Sequence, residues 1–151
     1  MSNSEKYYAS LQKKYSRRIS LGLERINKAL KKLNNPHLKL NNPINIIGSD
    51  GKYSTLFSLK TFIEAAGYKT TSFISPHLYK FETRISLINK YISLNEIKKY
   101  EKVVNNLNIK LSLFEVLTLI YILAASKKKD VNYNLVEAGL LFKGDSTRLW
   151  K

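Results

Sequence analysis

Apolar residues recur along the chain with two alternating periods. Helices are predicted where they return every three or four residues, and strands where they form short continuous runs. In 19–33, for example, the spacing of Leu23, Ile26 and Leu30 marks one buried helical face. The predicted helices cover 5–15, 19–33, 54–66, 95–106 and 113–126, and the predicted strands cover 44–47, 70–74 and 132–138. Alternating strands and helices predict the α/β class.

Residues 44–74 read as a strand, a glycine turn, a helix and a second strand, with Gly67 expected to cap the end of the helix. This order predicts one βαβ unit, which places its strands as a parallel pair joined by a right-handed crossover. Residues 84–92 fit either a hairpin or an irregular loop. With the strand over 132–138, the expected sheet has three strands.

The turn between the first strand and its helix is a candidate phosphate site. Gly48 and Gly51 allow close backbone approach, the following helix contributes its N-terminus, and Lys52 could reach terminal phosphates. The hydroxyl of Ser54 or Thr55 is placed to help. The general phosphate-loop pattern is not met, because Ile46 replaces its first glycine and Tyr53 its hydroxyl residue. An ordinary strand-to-helix turn and a phosphate loop therefore both remain open.

Composition narrows the alternatives further. A chain of 151 residues suits one domain, and the absence of Cys excludes disulfides and thiol chemistry. The formal net charge of +15 invites a nucleic-acid partner, but 21 Lys against 5 Arg, spread along the whole chain, disfavour one. The polar N-terminus and the lack of a long apolar run predict a soluble, cytoplasmic protein with no membrane partner.

Seven short segments share the order and spacing of one family's motifs. They are LGLERI at 21–26, NPH at 35–37, GSDGKYS at 48–54, AGYK at 66–69, SPHLYKFETRI at 75–85, FEVLT at 114–118 and VEAGL at 136–140. Together they resemble the folylpolyglutamate and dihydrofolate synthases of the Mur ligase superfamily. The resemblance spans nearly the whole chain but only about the first third of a family member.

The resemblance implies an ATP-dependent amide ligase. ATP would phosphorylate the carboxylate of a folate or dihydropteroate, and the amine of L-glutamate would then attack the acyl phosphate. The implied cofactors are ATP and Mg²⁺. The protein is expected to be a monomer and to have no nucleic-acid partner. The implied fold is a P-loop-type three-layer sandwich with a parallel central sheet, the N-terminal part of a Mur-ligase-like ATPase domain.

Site residues follow from the matched motif positions. The resemblance implies ATP-phosphate positions, Mg²⁺-ligand positions and pterin-side positions. The first are Gly51, Lys52, Tyr53 and Ser54, the second Ser75 and Glu137, and the third Leu21, Gly22, Leu23, Glu24 and Ser112. Ser75 and Glu137 both carry oxygen donors and both end predicted strands, where α/β sheets bind ligands. His77 is expected to support the site rather than to act as a base.

The chain departs from the family pattern at several positions. Tyr53 stands where the family has Gly, which would cost about 1–3 kcal/mol if that position needed a glycine-only backbone. Asp50 puts a negative charge into the loop. Beyond Gly139, the family's glycines, arginine and asparagine are replaced by Leu141, Phe142, Lys143 and Arg148.

These departures predict that 1–151 is a truncated N-terminal ATP-binding domain without the family's C-terminal domain. We expect it to be inactive as a ligase and to be the product of a pseudogene. Three strands would leave an unpaired sheet edge and an uncovered apolar face. The alternatives are a residual nucleotide-binding protein without catalysis and a basic nucleic-acid-binding module.

Overall fold

A computed structural model describes residues 2–16, 21–139 and 144–150. The helices are α1 (Asn3–Lys14), α2 (Glu24–Lys32), α3 (Lys52–Ala65), α4 (Leu94–Asn105) and α5 (Leu113–Ala125). The strands are β1 (Pro43–Ile46), β2 (Thr70–Phe73), β3 (Ile85–Leu87), β4 (Lys90–Tyr91) and β5 (Tyr133–Glu137). Short 3₁₀ helices cover Pro36–Lys39 and Phe81–Arg84. The α/β class is confirmed.

The described strands form one five-stranded sheet in the order β1-β5-β2-β3-β4. β5 pairs in parallel with both β1 and β2, whereas β3 and β4 continue the sheet antiparallel. Two expectations are corrected. The sheet is mixed and has five strands rather than three, because 84–92 forms a hairpin. The strands of the βαβ unit are not direct neighbours, because β5 lies between them.

Helices cover both faces of the sheet, which gives the expected three layers. Alternate strand residues point to opposite sides, so Val136 packs into the larger core with α5, while Leu135 packs with Leu56 of α3. Every residue of α5 except Phe114 is buried. This helix is therefore the centre of the larger core, and its burial explains its almost uniformly apolar sequence.

The observed ends of α2 and α3 show where local backbone conformation overrides apolar spacing. The helix predicted over 19–33 begins only at Glu24, because Gly22 adopts φ 114 and donates its N–H to the Gly144 carbonyl at 3.0 Å. Positions 17–20 lie outside the described residues. At the end of α3, Gly67 adopts φ 87 and its amide bonds to Glu64, which confirms the expected glycine cap.

The hydropathy of the helices bears on the membrane question. Among the described residues, no helix is both long enough and apolar enough to cross a membrane.

Candidate functional site

The carboxyl ends of the three parallel strands meet at one edge of the sheet. In the parallel register Ile46 of β1 lies beside Glu137 of β5, and Phe73 of β2 lies beside Val136. Ser75, just beyond β2, donates its backbone N–H to Oε2 of Glu137 at 3.1 Å. The two predicted metal-ligand residues are thus joined directly, next to the loop that follows β1.

That loop ends in a helix N-terminus without a side-chain cap. Gly51 adopts a left-handed conformation (φ 69, ψ 1) and precedes Lys52, the first residue of α3. Among the described residues, no side chain bonds to the first amides of α3, which are therefore placed to bind an anion. Lys52 folds over the loop, and its Nζ donates to the carbonyls of Gly48 at 2.8 Å and Ser49 at 3.1 Å. Its charge is therefore held at the loop.

Tyr53 is the second residue of α3, so the condition for a backbone cost at this position is not met. It has ordinary helical backbone, and the left-handed residue of the loop is Gly51, which the sequence retains. The Tyr53 ring stacks on Phe57 with centroids 6.0 Å apart and lines a cavity of about 400 Å³ between α3 and the β3–β4 hairpin. Burial, with the nearby phenols of Tyr91 and Tyr79, raises the pKa of Tyr53. The neighbouring Ser54 is exposed.

Glu137 is a carboxylate placed at the end of an apolar strand. Only 5 % of the residue is exposed, and burial raises its pKa. The Ser75 amide, Lys52 and Arg84 favour the charged form and oppose that rise. A carboxylate held this way is a suitable ligand for a hard cation, which would supply a compensating charge.

The donor set fits Mg²⁺ held jointly with a nucleotide. In the part of the chain that the structure describes, no group of three His, Cys, Asp or Glu side chains could hold a metal by itself. Mg²⁺ commonly takes one or two protein oxygens and completes its shell with phosphates and water. One carboxylate and one hydroxyl beside a phosphate loop match that pattern.

Arg84 belongs to this edge but received no role from the sequence. It is only 6 % exposed, and its charge acts on Glu137. Its Nε donates to Nδ1 of His77 at 3.0 Å, and its Nη2 to the Tyr8 hydroxyl at 2.9 Å. Burial, together with the Arg84 charge, lowers the pKa of His77. His77 is therefore a neutral acceptor for Arg84, and its supporting role at the site stays a prediction. The only sequence signal for Arg84 was its place in the motif at 75–85.

The predicted pterin-side residues lie at the starts of two helices, Leu21 to Glu24 at α2 and Ser112 at α5. Gly22 reaches the segment after β5 through its hydrogen bond to Gly144. Arg25, just beyond Glu24, pairs with Glu115 at 3.1 Å, and Glu115 forms a capping box with Ser112. The Ser112 hydroxyl accepts from the Glu115 amide at 3.3 Å. It therefore has a structural partner, whereas the Leu21 side chain is exposed.

Gly139 marks another close contact near this region. A Cβ there would lie 2.1 Å from Oδ2 of Asp145, a carboxylate that is only 6 % exposed. Oδ1 of Asp145 accepts from the Thr147 amide at 2.9 Å. The glycine therefore lets 144–150 fold back against β5. The predicted departures at 141–143 lie outside the described residues.

Known proteins that are similar to this chain are folylpolyglutamate and dihydrofolate synthases. No protein-family model matches the sequence. A folylpolyglutamate synthase structure from Thermotoga maritima superposes with a TM-score of 0.83 and 29 % identity, covering 99 % of this chain and 37 % of that one. The resemblance to folylpolyglutamate synthases is confirmed. The fold is thus the one found in these synthases, and the chain spans about a third of their length.

Two further relatives are named both dihydrofolate synthase and folylpolyglutamate synthase. The dihydrofolate synthase/folylpolyglutamate synthase of Bacillus subtilis is 26 % identical over 113 residues, which is 70 % of this chain and 26 % of that protein. A bifunctional synthase from Yersinia pestis, solved with AMPPNP and a Mn ion, has a TM-score of 0.83 and 25 % identity. It is matched over 97 % of this chain and 36 % of its own.

Proposed function

We propose that this chain holds the nucleotide and metal of an ATP-dependent ligase that joins L-glutamate to a folate. The observation that carries the proposal is the meeting of three features at one sheet edge. These are the uncapped glycine loop before α3, the Ser75 segment and the buried Glu137. The synthase from Yersinia pestis, solved with a nucleotide analogue and a Mn ion, supports the same ligands here.

The ATP phosphates would lie against the loop and the first turn of α3. The backbone at Gly51, the first amides of α3 and the hydroxyl of Ser54 supply hydrogen-bond donors at the positive end of the helix dipole. Lys52 adds a full positive charge held within the loop. Tyr53 takes part through its amide, because its ring is directed towards Phe57.

The divalent cation would lie between the Ser75 hydroxyl and the Glu137 carboxylate. When bound, such an ion neutralises charge on the phosphate that is transferred to the acceptor carboxylate. The chain's own part is to hold the two oxygen ligands together, which the bond from the Ser75 amide to Glu137 does. Burial keeps water from competing for that carboxylate.

The acceptor would be a folate or dihydropteroate, with L-glutamate as the amine. The names of the Bacillus subtilis and Yersinia pestis relatives include both synthase activities, which supports both acceptors. Leu21, Gly22, Leu23, Glu24 and Ser112 form the proposed pterin side. The ion pair between Arg25 and Glu115, which joins the starts of α2 and α5, supports this assignment. Folate turnover would separate a ligase from a protein that binds the nucleotide alone.

Thermal unfolding in the presence of Mg·ATP tests the nucleotide site. At about 100 times the Kd, ligand binding adds about 2.7 kcal/mol to the free energy of unfolding, so the wild-type Tm should rise. Lys52→Ala should abolish that rise. Lys69→Ala is the matched control, because Lys69 is exposed and lies beyond α3, between the helix and β2. It should keep the full Tm rise.

Two results would contradict the proposal. One is a Tm rise with Mg·ATP that survives in Lys52→Ala. The other is the absence of any Mg·ATP effect combined with ATP-independent binding to duplex DNA that weakens steeply with salt, the behaviour of a basic nucleic-acid binder.

A further inference from the structure

Arg84 is a buried cation whose side-chain hydrogen bonds end on two rings. It donates to His77 at 3.0 Å and to the Tyr8 hydroxyl at 2.9 Å, and its guanidinium lies 5.1 Å from the centre of the Tyr8 ring. Both hydrogen-bond partners are uncharged. The charge itself is stabilised by the Glu137 and Glu5 carboxylates, so the two rings are not needed as charge partners. The planar fork of an arginine instead fixes the relative position of both rings.

His77 passes this contact on to α1. Because Nδ1 of His77 accepts from Arg84, its proton lies on Nε2, which faces Oε2 of Glu5 at 3.6 Å. The other carboxylate oxygen of Glu5 accepts the Phe81 amide at 3.0 Å. The Tyr8 ring packs edge-on against His77, with centroids 4.9 Å apart. Glu5 and Tyr8 of α1 therefore hold the segment that follows β2, and Ser4 adds a hydrogen bond to Glu82 at 2.6 Å.

The same segment carries Ser75. Its start is fixed where the Ser75 amide binds Glu137, and its end where the Arg84 carbonyl accepts the Ile74 amide at 2.9 Å. The main chain of 75–84 is thus closed into a loop at Arg84. The Arg84 side chain then reaches back to His77, two residues beyond Ser75.

We propose that Arg84 is a positioning residue, which clasps the 75–84 loop onto Tyr8 and Glu5 of α1 and so sets the Ser75 oxygen for a divalent cation. The inference rests on the proposed nucleotide and metal site. It makes α1, about 70 residues away in sequence, part of the metal site. It also explains why Arg84 is buried beside Glu137 although no ligand is expected to touch it.

Binding of a fluorescent ATP analogue, mant-ATP, tests the clasp when it is measured with Mg²⁺ and with EDTA. The wild-type chain should bind more tightly with Mg²⁺. In Arg84→Met, the gain in mant-ATP affinity that Mg²⁺ produces should be about tenfold smaller than in the wild type. The affinity of this variant in EDTA should stay within about twofold of wild type. Arg84→Lys should lose a similar part of the Mg²⁺-dependent gain, because it keeps the charge but lacks the fork.

Tyr8→Phe provides a milder variant in case Arg84→Met fails to fold. It keeps the ring and removes the hydroxyl that Arg84 binds, so about threefold of the Mg²⁺-dependent gain should be lost. Lys80→Met is the matched control, because Lys80 is an exposed cation in the same loop. It should bind as the wild type does in both conditions.

The outcomes separate the clasp from the site itself. If the Arg84 and Tyr8 variants keep the Mg²⁺-dependent gain, the clasp is refuted and the proposed nucleotide site stands. Equal losses with Mg²⁺ and with EDTA would also refute it, since they would indicate general destabilisation. If the wild-type chain shows no Mg²⁺-dependent gain, the proposed function fails and the clasp fails with it.

Discussion

The N-termini of α5 and α3 differ in whether side chains cap their first backbone amides. At α5, Ser112 and Glu115 form a capping box, and Arg25 pairs with the Glu115 carboxylate at 3.1 Å. At α3, the cap position is Gly51, and no side chain in the described part of the chain bonds to the first amides. Both termini carry the same partial positive charge from the helix dipole.

The difference indicates which terminus is available to a ligand. At α5 the protein's own side chains satisfy the cap amides, and the charge of Glu115 complements the dipole. At α3 the glycine leaves the amides to solvent, and Lys52 adds positive charge that would repel cations and attract anions. The capped terminus of α5 stabilises the fold, while the uncapped terminus of α3 leaves room for the proposed anion site.

Replacing the left-handed glycine should have the largest effect on this comparison. Gly51→Ala forces a side chain into a backbone of φ 69, at a cost of about 1–2 kcal/mol in the free energy of unfolding. Gly67→Ala is the matched control at the other end of α3, with φ 87 and equally open space. Urea unfolding should show similar losses for both variants.

Nucleotide binding should distinguish these two glycine variants. Gly51→Ala should weaken mant-ATP binding about tenfold, equivalent to 1.4 kcal/mol, because its backbone shapes the loop. Gly67→Ala should bind as the wild type does. If Gly67→Ala weakens binding equally, the uncapped terminus has no special role.

Removing the cap of α5 should have the next largest effect. Ser112→Ala should lower the free energy of unfolding by about 1 kcal/mol, the usual value of an N-cap. Ser93→Ala is matched to it, because Ser93 forms the same capping box at α4. If Ser112 also contacts the pterin, only Ser112→Ala should weaken dihydropteroate binding. Unchanged stability in Ser112→Ala would mean that the terminus is not capped as described.

The smallest change in stability is expected at Glu137. Burial raises its pKa above 4.5, so between 4.5 and the raised pKa the folded chain binds more protons than the unfolded chain. The free energy of unfolding of the ligand-free protein therefore has a contribution that falls as pH rises through this window. Glu137→Gln should remove that contribution and stabilise the ligand-free chain at about pH 8, as measured by urea unfolding.

Adding Mg·ATP should reverse the order of stability. The wild-type chain should gain stability from the ligand, while Glu137→Gln should gain far less because it has lost a proposed metal ligand. A ligand-free wild type that is more stable than Glu137→Gln at about pH 8 would contradict the assignment of the raised pKa.

Prediction from the sequence succeeded where the information was local. The helix predicted over 113–126 is observed as α5 at Leu113–Ala125. The glycine cap after α3 is also confirmed at Gly67. Prediction failed at the start of α2, because the backbone of Gly22 follows from its contact with Gly144, far along the chain.

The sequence was sufficient to predict that Ser75 and Glu137 lie at the same edge of the sheet. Both follow or end parallel strands, whose carboxyl ends share one sheet edge. Their direct bond was not predictable, because it depends on β5 lying between β1 and β2. Strand order is fixed by how the helices pack on both faces, and no local pattern in β5 records it.

The sequence by itself determined the alternation of strands and helices, the glycine loop before α3 and the family whose motifs the chain resembles. Only the tertiary structure decided that Arg84 is buried beside Glu137, a proposed metal ligand, and held by α1. The physical reason is the distance along the chain over which each property is determined. Backbone conformation, caps and apolar spacing depend on residues a few positions apart. The environment of a charge depends on every element packed around it, and for Arg84 one of these begins at the third residue of the chain.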